Sequence, residues 1–416
     1  MKINSVKNFT GVFCVAGDKS ITHRAVMFNA MANGKSTIKK ALLGEDCLTT
    51  IDCMRKLGSE ITINGDTISV IGTKKFNDNT SLYCGNSGTT IRLLMGLLSG
   101  KNINATLNGD DSLSKRPMKR VAQPLQKLGA QISTNNGFTP VIIKSAPLKG
   151  AVIEMEVASA QVKSAIILAA VNAEGVTEIT EKTKSRNHTE LMLKSMGADI
   201  ECINDKIIIK KSVELAPISL TVPADISSAA YFMALGALLG ETTVKNVGIN
   251  DTRDGILKVF DMMGVKYILD NIRFEGLEKV ADITVYKSDI KAIKLTKEIM
   301  PSLIDELPVI AVMLSLANGV STISGAEELR VKESDRIKTT VEMIKNLGGN
   351  IKETTDGFII SGSEFLTGGN IDSFFDHRIA MSGTVGLMAS KNGGNIKNSE
   401  CVNISFPDFF KLIGEQ

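Results

Sequence analysis

The sequence predicts an α/β protein of two domains, built from six copies of one supersecondary unit with three in each domain. Length is the first indication. The 416 residues are too many for one ordinary hydrophobic core, which favours two domains of about 200 residues each. A recurring phrase is the second. An amphipathic stretch ends in an apolar residue and a glycine six times, as MRKLG (Gly58), LQKLG (Gly129), LKSMG (Gly197), FDMMG (Gly264), IKNLG (Gly348) and FKLIG (Gly414), at intervals of 66 to 84 residues. The third is the continuation shared by the first five: an alternating strand, a turn pair and a second strand, as EITINGDTISVIG, QISTNNGFTPVIIK, DIECINDKIIIKK, KYILDNIRFEG and NIKETTDGFIISG.

Taken in chain order, each unit ends as an amphipathic helix, a glycine stop and a hairpin. Glycine ends the helix because it enters the left-handed region without a steric penalty. Asn-Gly or Asp-Gly between alternating residues supplies the backbone that a two-residue hairpin turn requires. KYILDNIRFEG reads as a whole hairpin within residues 266–276. Solenoid repeats run to about 20–50 residues; these units are longer and carry their own hairpins, which disfavours simple stacking. The sixth unit stops at its glycine and needs a strand from elsewhere. The apolar run before Gly17 is the obvious donor, giving one discontinuous domain of residues 1–16 plus 224–416 and another of residues 17–223.

Composition excludes several classes of function. Formal net charge is +3, aromatic residues make up 5% and tryptophan is absent, so no nucleic-acid partner is expected. The six cysteines (Cys14, Cys47, Cys53, Cys84, Cys202 and Cys401) form no Cys-x-x-Cys pair, and His23, His188 and His377 lie in distant segments. No metal site is expected from such spacing. No apolar run reaches a membrane-spanning length, and MKINSVKNFTGVF has neither a signal-peptide core nor a transit-peptide character. A cytoplasmic enzyme without a membrane partner is the expectation.

Any anion must then be met locally. GDKSITHRA (17–25) follows an apolar run; Asp18 or Ser20 can cap the helix that begins near Ile21, whose free N–H groups favour an anion. Lys19 and Arg24 add fixed charge there. In YCGNSGTTIRLLMGLLSG, Gly85 and Gly88 allow a ligand close to the backbone, but neither a Gly-Lys-Ser/Thr ending nor a G-x-G-x-x-G follows a strand, which argues against ATP and NAD. DDSLSKRPMKR places Arg116 at a helix start, and SAQVKSA brings Ser159, Gln161 and Lys163 into one turn. LIDELPVIAV sets Asp305 and Glu306 against an apolar helix, where burial raises a carboxyl pKa unless a cation answers it. RVKESDRI supplies Lys332, Glu333 and Arg336, and FFDHRIAM supplies Asp376, His377 and Arg378. Each segment alone fits caps and ordinary ion pairs; the recurrence of one inventory points to shared anion chemistry.

GDKSITHR, GNSGTTIRLL, SLSKRPM, SAQVKSA, RNHTE, VPADISSAA, NDTRDG, VKESDRI, DHRIAM and SFPDFF run in order from residue 17 to 410. They resemble the motifs of the 5-enolpyruvylshikimate-3-phosphate (EPSP) synthase family, and its second class in particular. The resemblance implies the two-domain inside-out α/β barrel of the enolpyruvyl transferase fold, with six βαβαββ units. It implies transfer of the enolpyruvyl group of phosphoenolpyruvate to the 5-hydroxyl of shikimate 3-phosphate with release of phosphate, in the shikimate pathway to chorismate and the aromatic amino acids. It further implies a monomer without metal or cofactor, and glyphosate as a candidate inhibitor.

Carried over by position, the resemblance implies that Lys19, Ser20, Arg24, Ser159, Ala160, Gln161, Ser185, Arg186, Asp305 and Lys332 bind shikimate 3-phosphate. It implies that Lys19, Gly88, Arg116, Gln161, Arg336 and Arg378 bind phosphoenolpyruvate. Asp305 would accept the 5-hydroxyl proton, Glu333 would protonate the methylene carbon and Lys19 would assist departure of phosphate. Addition followed by elimination reverses the proton traffic, so paired acid and base groups each act twice. Ile404 stands where one branch carries a lysine before Phe-Pro-Asp, and Gly88 stands where some glyphosate-tolerant members carry alanine. Two rival readings share part of the inventory. A UDP-N-acetylglucosamine enolpyruvyl transferase generally uses a loop cysteine, absent from residues 108–120, although Asp110 and Asp111 keep its aspartate form open. A non-catalytic anion-binding relative would not need Lys19, Asp305 and Glu333 intact.

Overall fold

A computed structural model of the chain describes residues 1–414 apart from 74, 157 and 213. The repeating unit is clearest in residues 80–144: strand Thr80–Tyr83, helix Gly88–Gly100, strand Ala105–Asn108, helix Lys119–Lys127 and the hairpin Gln131–Asn135 with Phe138–Lys144. The first two strands run parallel, as the intervening helix permits. The last strand lies antiparallel to the second, and the third takes the outer edge. Four other four-stranded sheets repeat this order, opening on Leu220–Thr221, Val152–Glu154, Thr10–Phe13 and Lys294–Leu295. The last sheet has three strands: Gly369–Asp372 parallel to Gly394–Lys397, with Lys2–Ile3 antiparallel at its edge.

The recurrent glycines end helices for the expected reason. Gly58, Gly129, Gly197, Gly264 and Gly348 have φ between 75° and 105°. In each case the next N–H reaches the carbonyl five residues back, as Ser59 to Met54, Ala130 to Leu125, Ala198 to Leu193, Val265 to Phe260 and Gly349 to Ile344. Gly414 differs, being the last residue of helix Phe409–Gly414. The fourth hairpin also departs from expectation. Lys266–Glu275 is one ten-residue strand paired with Glu278–Tyr286. Asn271 takes a positive φ inside the strand and donates its amide to Asp282 Oδ2 at 2.8 Å. The irregularity is absorbed there, and the chain reverses only at Gly276-Leu277.

Two compact units result: Met1–Ala16 with Pro223–Phe274 and the residues from Lys279 on, and Gly17–Val222 with the short turn Glu275–Glu278. The N-terminus contributes two strands rather than one. Lys2–Ile3 completes the last sheet, whereas the run before Gly17 forms Thr10–Phe13 and opens the sheet containing Glu241–Gly248. Leu220–Thr221 likewise precedes helix Ile226–Leu239 but pairs with Lys35–Lys39.

Within each unit, helices occupy the interior and sheets face outward. Gly88–Gly100 and Ala160–Ala170 are buried over most of their length in one unit, as are Ile226–Leu239, Leu307–Leu314 and His377–Met388 in the other. Such helices are buried on every face, including the polar side chains Arg92, His377 and Arg378. Strand Phe138–Lys144 alternates exposed and buried residues, the pattern of a sheet wet on one face. A Cβ on Gly96 would stand 2.0 Å from the Ala165 carbonyl oxygen, so glycine sets the close approach of the first two of these helices. Among the described residues, no helix is long and apolar enough to cross a membrane.

Candidate active site

In the unit Gly17–Val222, helix Lys19–Met31 is capped by Asp18, whose Oδ1 accepts the Ile21 N–H at 2.9 Å. Ser20 lies one residue inside the helix. Lys19 Nζ stands 2.5 Å from Asp46 Oδ2. Asp46 lies in the first turn of helix Glu45–Lys56, where the backbone dipoles favour a carboxylate. Arg24 is buried: its Nε donates to Thr189 Oγ1 at 2.7 Å, Nη1 to the Ser20 carbonyl at 2.9 Å and Nη2 to Ser164 Oγ at 2.7 Å. Burial draws its pKa down to about 10 against the opposing pull of Glu190 and Asp18, so the guanidinium is charged at neutral pH.

His23, on the same helix, is fully buried and bonds Thr50 Oγ1 through Nδ1 at 2.7 Å. Thr50 bonds Thr90, and Thr90 donates to Ser87 Oγ, both at 2.7 Å. A chain of side chains thus links the first motif to the Gly-Asn-Ser-Gly loop. Burial, then Lys19 and Arg24, push the imidazole pKa well below its ordinary value of 6.5. Below pH 6.5 the unfolded chain therefore binds a proton that the folded chain refuses. The corresponding stability is complete above 6.5 and is lost as pH falls toward the folded value, at up to about 1.4 kcal/mol per pH unit. Melting curves between pH 7 and 5 are expected to show a shallower decline for His23→Gln than for the parent chain.

Gly88 begins helix Gly88–Gly100, with Ser87 as cap. Arg116 arrives from the loop before helix Lys119–Lys127, and its Nη2 donates to Asn86 Oδ1 at 2.5 Å. Asn86 in turn donates to Asp110 Oδ2 at 2.9 Å, and Asp110 Oδ1 accepts the Leu113 N–H at 2.7 Å. A Cβ on Gly88 would meet Arg116 Nη1 at 3.3 Å and Arg92 Nη1 at 3.4 Å. Gln161 joins this group: its Oε1 accepts from Arg92 Nη1, and its Nε2 donates to Thr89 Oγ1 at 2.9 Å. Ser159 caps helix Ala160–Ala170 and precedes Ala160 and Gln161 in its first turn. Ser185 is buried, with its hydroxyl donating to Glu181 Oε1 at 2.6 Å; Arg186 beside it is half-buried and lowers the pKa of Arg24 through charge repulsion.

The other unit gathers a second set. Arg336, at the start of helix Arg336–Asn346, is 2% exposed. Its guanidinium reaches Asp376 Oδ2 at 2.8 Å, Glu333 Oε2 at 2.5 Å and Asp305 Oδ1 at 3.3 Å. Lys332 Nζ lies 3.8 Å from the same Asp305 oxygen. Burial alone would lower the Arg336 pKa, but Asp376, Glu333 and Asp305 outweigh it and hold the value above the ordinary range. Asp376 also caps helix His377–Met388 by accepting the Arg378 N–H at 2.9 Å. Arg378 is buried beside Tyr231, and its pKa stays high because Tyr231, Asp305, Asp225 and Glu306 overcome the burial penalty. Behind them, Arg253 Nη2 pairs with Asp225 Oδ1 at 2.7 Å and donates to Ser227 Oγ at 2.8 Å; Ser227 donates to Glu306.

The structure thus groups Lys19, Ser20 and Arg24 on one helix, Gly88, Arg116 and Gln161 around Arg92, and Asp305, Lys332 and Glu333 around Arg336. Sequence reasoning did not supply the pairings of these groups, chiefly Asp46 with Lys19 and Asn86 with Arg116, nor the buried pair of Arg253 with Asp225. Asp46 left one signal, an acidic first turn in GEDC. Asn86 and Arg253 were in view within GNSGTT and NDTRDG, but no local spacing links either to its partner.

Residues 3–413 match the model of the family described as EPSP synthase (3-phosphoshikimate 1-carboxyvinyltransferase). The 3-phosphoshikimate 1-carboxyvinyltransferase of Thermoanaerobacter sp. (strain X514) is 47% identical over 99% of this chain and 98% of its own length. The solved EPSP synthase from Acinetobacter baumannii superposes with a TM-score of 0.89 at 39% identity, covering 100% of this chain and 97% of that one. The enolpyruvyl transferase NikO from Streptomyces tendae shares the fold at a TM-score of 0.82 and 16% identity, covering 100% of this chain and 96% of that one. The architecture of outward sheets on buried helices is that of the enolpyruvyl transferases. Within that class, the chain belongs to the EPSP synthase family.

Proposed function

We infer that the chain acts as a 3-phosphoshikimate 1-carboxyvinyltransferase, moving the enolpyruvyl group of phosphoenolpyruvate to the 5-hydroxyl of shikimate 3-phosphate. The observation that carries the reading is the cluster at Arg336, where Asp305 and Glu333 share one buried guanidinium. Asp376 already supplies the counter-charge that a buried arginine requires; Asp305 and Glu333 are additional, and addition and elimination need two proton carriers. Of the two candidate loop acids of the UDP-N-acetylglucosamine alternative, Asp110 and Asp111, the first is committed to Asn86 and the Leu113 N–H, and the family match over residues 3–413 disfavours that alternative as a whole.

In this reading the 5-hydroxyl oxygen bonds to C2 of phosphoenolpyruvate as its proton passes to Asp305, while Glu333 gives a proton to C3. The tetrahedral adduct then returns a C3 proton to Glu333 and breaks its C2–O bond to phosphate, which departs beside Lys19 and takes up the proton held by Asp305, yielding the enol ether and inorganic phosphate. Lys19, Ser20, Arg24, Ser159, Ala160, Gln161, Ser185, Arg186 and Lys332 hold shikimate 3-phosphate. Lys19, Gly88, Arg116, Gln161, Arg336 and Arg378 hold phosphoenolpyruvate. Fixed cations neutralise the reacting anions without reorganising at the moment of reaction. As phosphoenolpyruvate takes Arg336, Glu333 gives up a share of its counter-charge and becomes easier to protonate.

Phosphate release from shikimate 3-phosphate and phosphoenolpyruvate tests the reaction. Release only with UDP-N-acetylglucosamine selects the first rival, and binding without release selects the second. Gly88→Ala crowds the ends of Arg116 and Arg92, so its KM for phosphoenolpyruvate is expected to rise about three- to tenfold, more than its KM for shikimate 3-phosphate. A glyphosate titration of the same variant follows the inhibitor, which we place on the phosphoenolpyruvate residues.

A further inference from the structure

Among the described residues Lys163 is the most deeply buried lysine, at 1% exposure, and the mechanism above gives it no task. Its ammonium meets three acceptors: Glu181 Oε2 at 2.8 Å, Glu190 Oε1 at 2.7 Å and the Ser185 carbonyl at 3.1 Å. Three protons find three oxygens, which is what a buried ammonium requires. The two carboxylates flank one connection. Glu181 follows strand Val176–Thr180, and Glu190 lies in the first turn of helix His188–Ser195. Lys163 therefore ties both ends of the segment between them to helix Ala160–Ala170.

The middle of that segment is held as well. Glu181 Oε1 accepts the Ser185 N–H at 3.3 Å and the Ser185 hydroxyl at 2.6 Å. The peptide joining Ser185 to Arg186 is thus gripped at its carbonyl by Lys163, one bond from the backbone of Arg186. The neighbours of the cluster also serve Arg24. Ser164, next to Lys163, and Thr189, next to Glu190, both accept from its guanidinium and bond each other at 2.6 Å.

We propose that Lys163 is a positioning residue, which sets the backbone of the 181–190 segment so that Arg186 meets the phosphorylated substrate alongside Arg24. This rests on the shikimate 3-phosphate reading of those arginines. Replacing the whole of a buried ion cluster by apolar residues is often neutral or stabilising, whereas removing one partner leaves buried charge uncovered, so a cluster kept only for stability is easily substituted as a set. A lysine kept to aim Arg186 is not, because methionine cannot hold the Ser185 carbonyl.

A double-mutant cycle on the full chain tests this. Calorimetric titration with shikimate 3-phosphate is run on the parent, Lys163→Met, Arg186→Ala and the double variant. Lys163→Met is expected to weaken binding at least about tenfold, and the double variant to bind within about threefold of Arg186→Ala alone, since the lysine acts through the arginine. At saturating substrates the kcat of Lys163→Met stays within about threefold of the parent. Unchanged affinity in Lys163→Met, or losses that multiply in the double variant, overturn the proposal. Should Lys163→Met fail to fold, Glu181→Gln, which leaves Lys163 paired with Glu190, carries the same cycle with an expected weakening of about three- to tenfold. A parent chain that neither binds shikimate 3-phosphate nor releases phosphate sinks the reaction itself; a competent parent with insensitive variants sinks only the role of Lys163.

Discussion

Lys19→Met is expected to lower kcat/KM for phosphate release by at least about a thousandfold, since it removes a fixed charge assigned to both substrates and to the departing phosphate. The Asp46 contact sharpens the expectation. With Lys19 gone, the largely buried Asp46 carboxylate faces the same region without its cation, so the variant loses a positive charge and uncovers a negative one. The second half of that loss is separable. Lys19→Met combined with Asp46→Asn restores neutrality and is expected to recover substrate affinity by about tenfold over the single variant while leaving kcat depressed. Turnover near the parent level in Lys19→Met contradicts the role given to this residue.

Asp305→Ala is expected to separate rate from affinity. The carboxylate lies within reach of Arg336 Nη1 and Lys332 Nζ, so its removal takes one negative charge from beside two cations assigned to anionic substrates. Affinity for phosphoenolpyruvate and shikimate 3-phosphate is therefore expected to stay within about tenfold of the parent, while kcat falls by about a hundredfold to ten-thousandfold, the range for loss of a general base. Equilibrium titration beside single-turnover measurement distinguishes the two quantities. A kcat within tenfold of the parent would remove Asp305 from the proton path; a parallel collapse of binding would make it a ligand rather than a base.

What could be read from the sequence divides along physical lines. The helix stops were legible because a left-handed turn selects glycine, and Gly58, Gly129, Gly197, Gly264 and Gly348 all occupy one. The hairpins were legible where the turn needs its own residues, as at Asn136-Gly137, where both φ values are positive. Asn271 misled because a positive φ inside a strand looks, in sequence, like a turn. The caps at the helix mouths, Asp18, Ser87, Ser159 and Asp376, were legible because capping is local. The partners of the motif cations were not: Lys19 meets Asp46, Arg116 meets Asn86 and Lys163 meets Glu181 and Glu190 only after sheets and helices have been brought together. Arg336 shows the same division, since its neighbour Glu333 is three residues away while Asp376 comes from the next repeat.

The exchange of opening strands has a consequence for the nascent chain. The unit Gly17–Val222 is nearly contiguous, and its ends meet, since a Cβ on Gly17 would stand 3.2 Å from the Val222 side chain, so it can close while the remainder is still being translated. Thr10–Phe13 leaves the ribosome before any of it, yet its partner Glu241–Gly248 emerges only after that whole unit. At about 5–20 residues per second, this edge stays unpaired for on the order of ten seconds or more. Lys2–Ile3 waits longer still, for Gly394–Lys397. The discontinuous domain thus makes neighbours of strands synthesised far apart in time, which makes it the late-forming part and the one most dependent on protection from aggregation during synthesis.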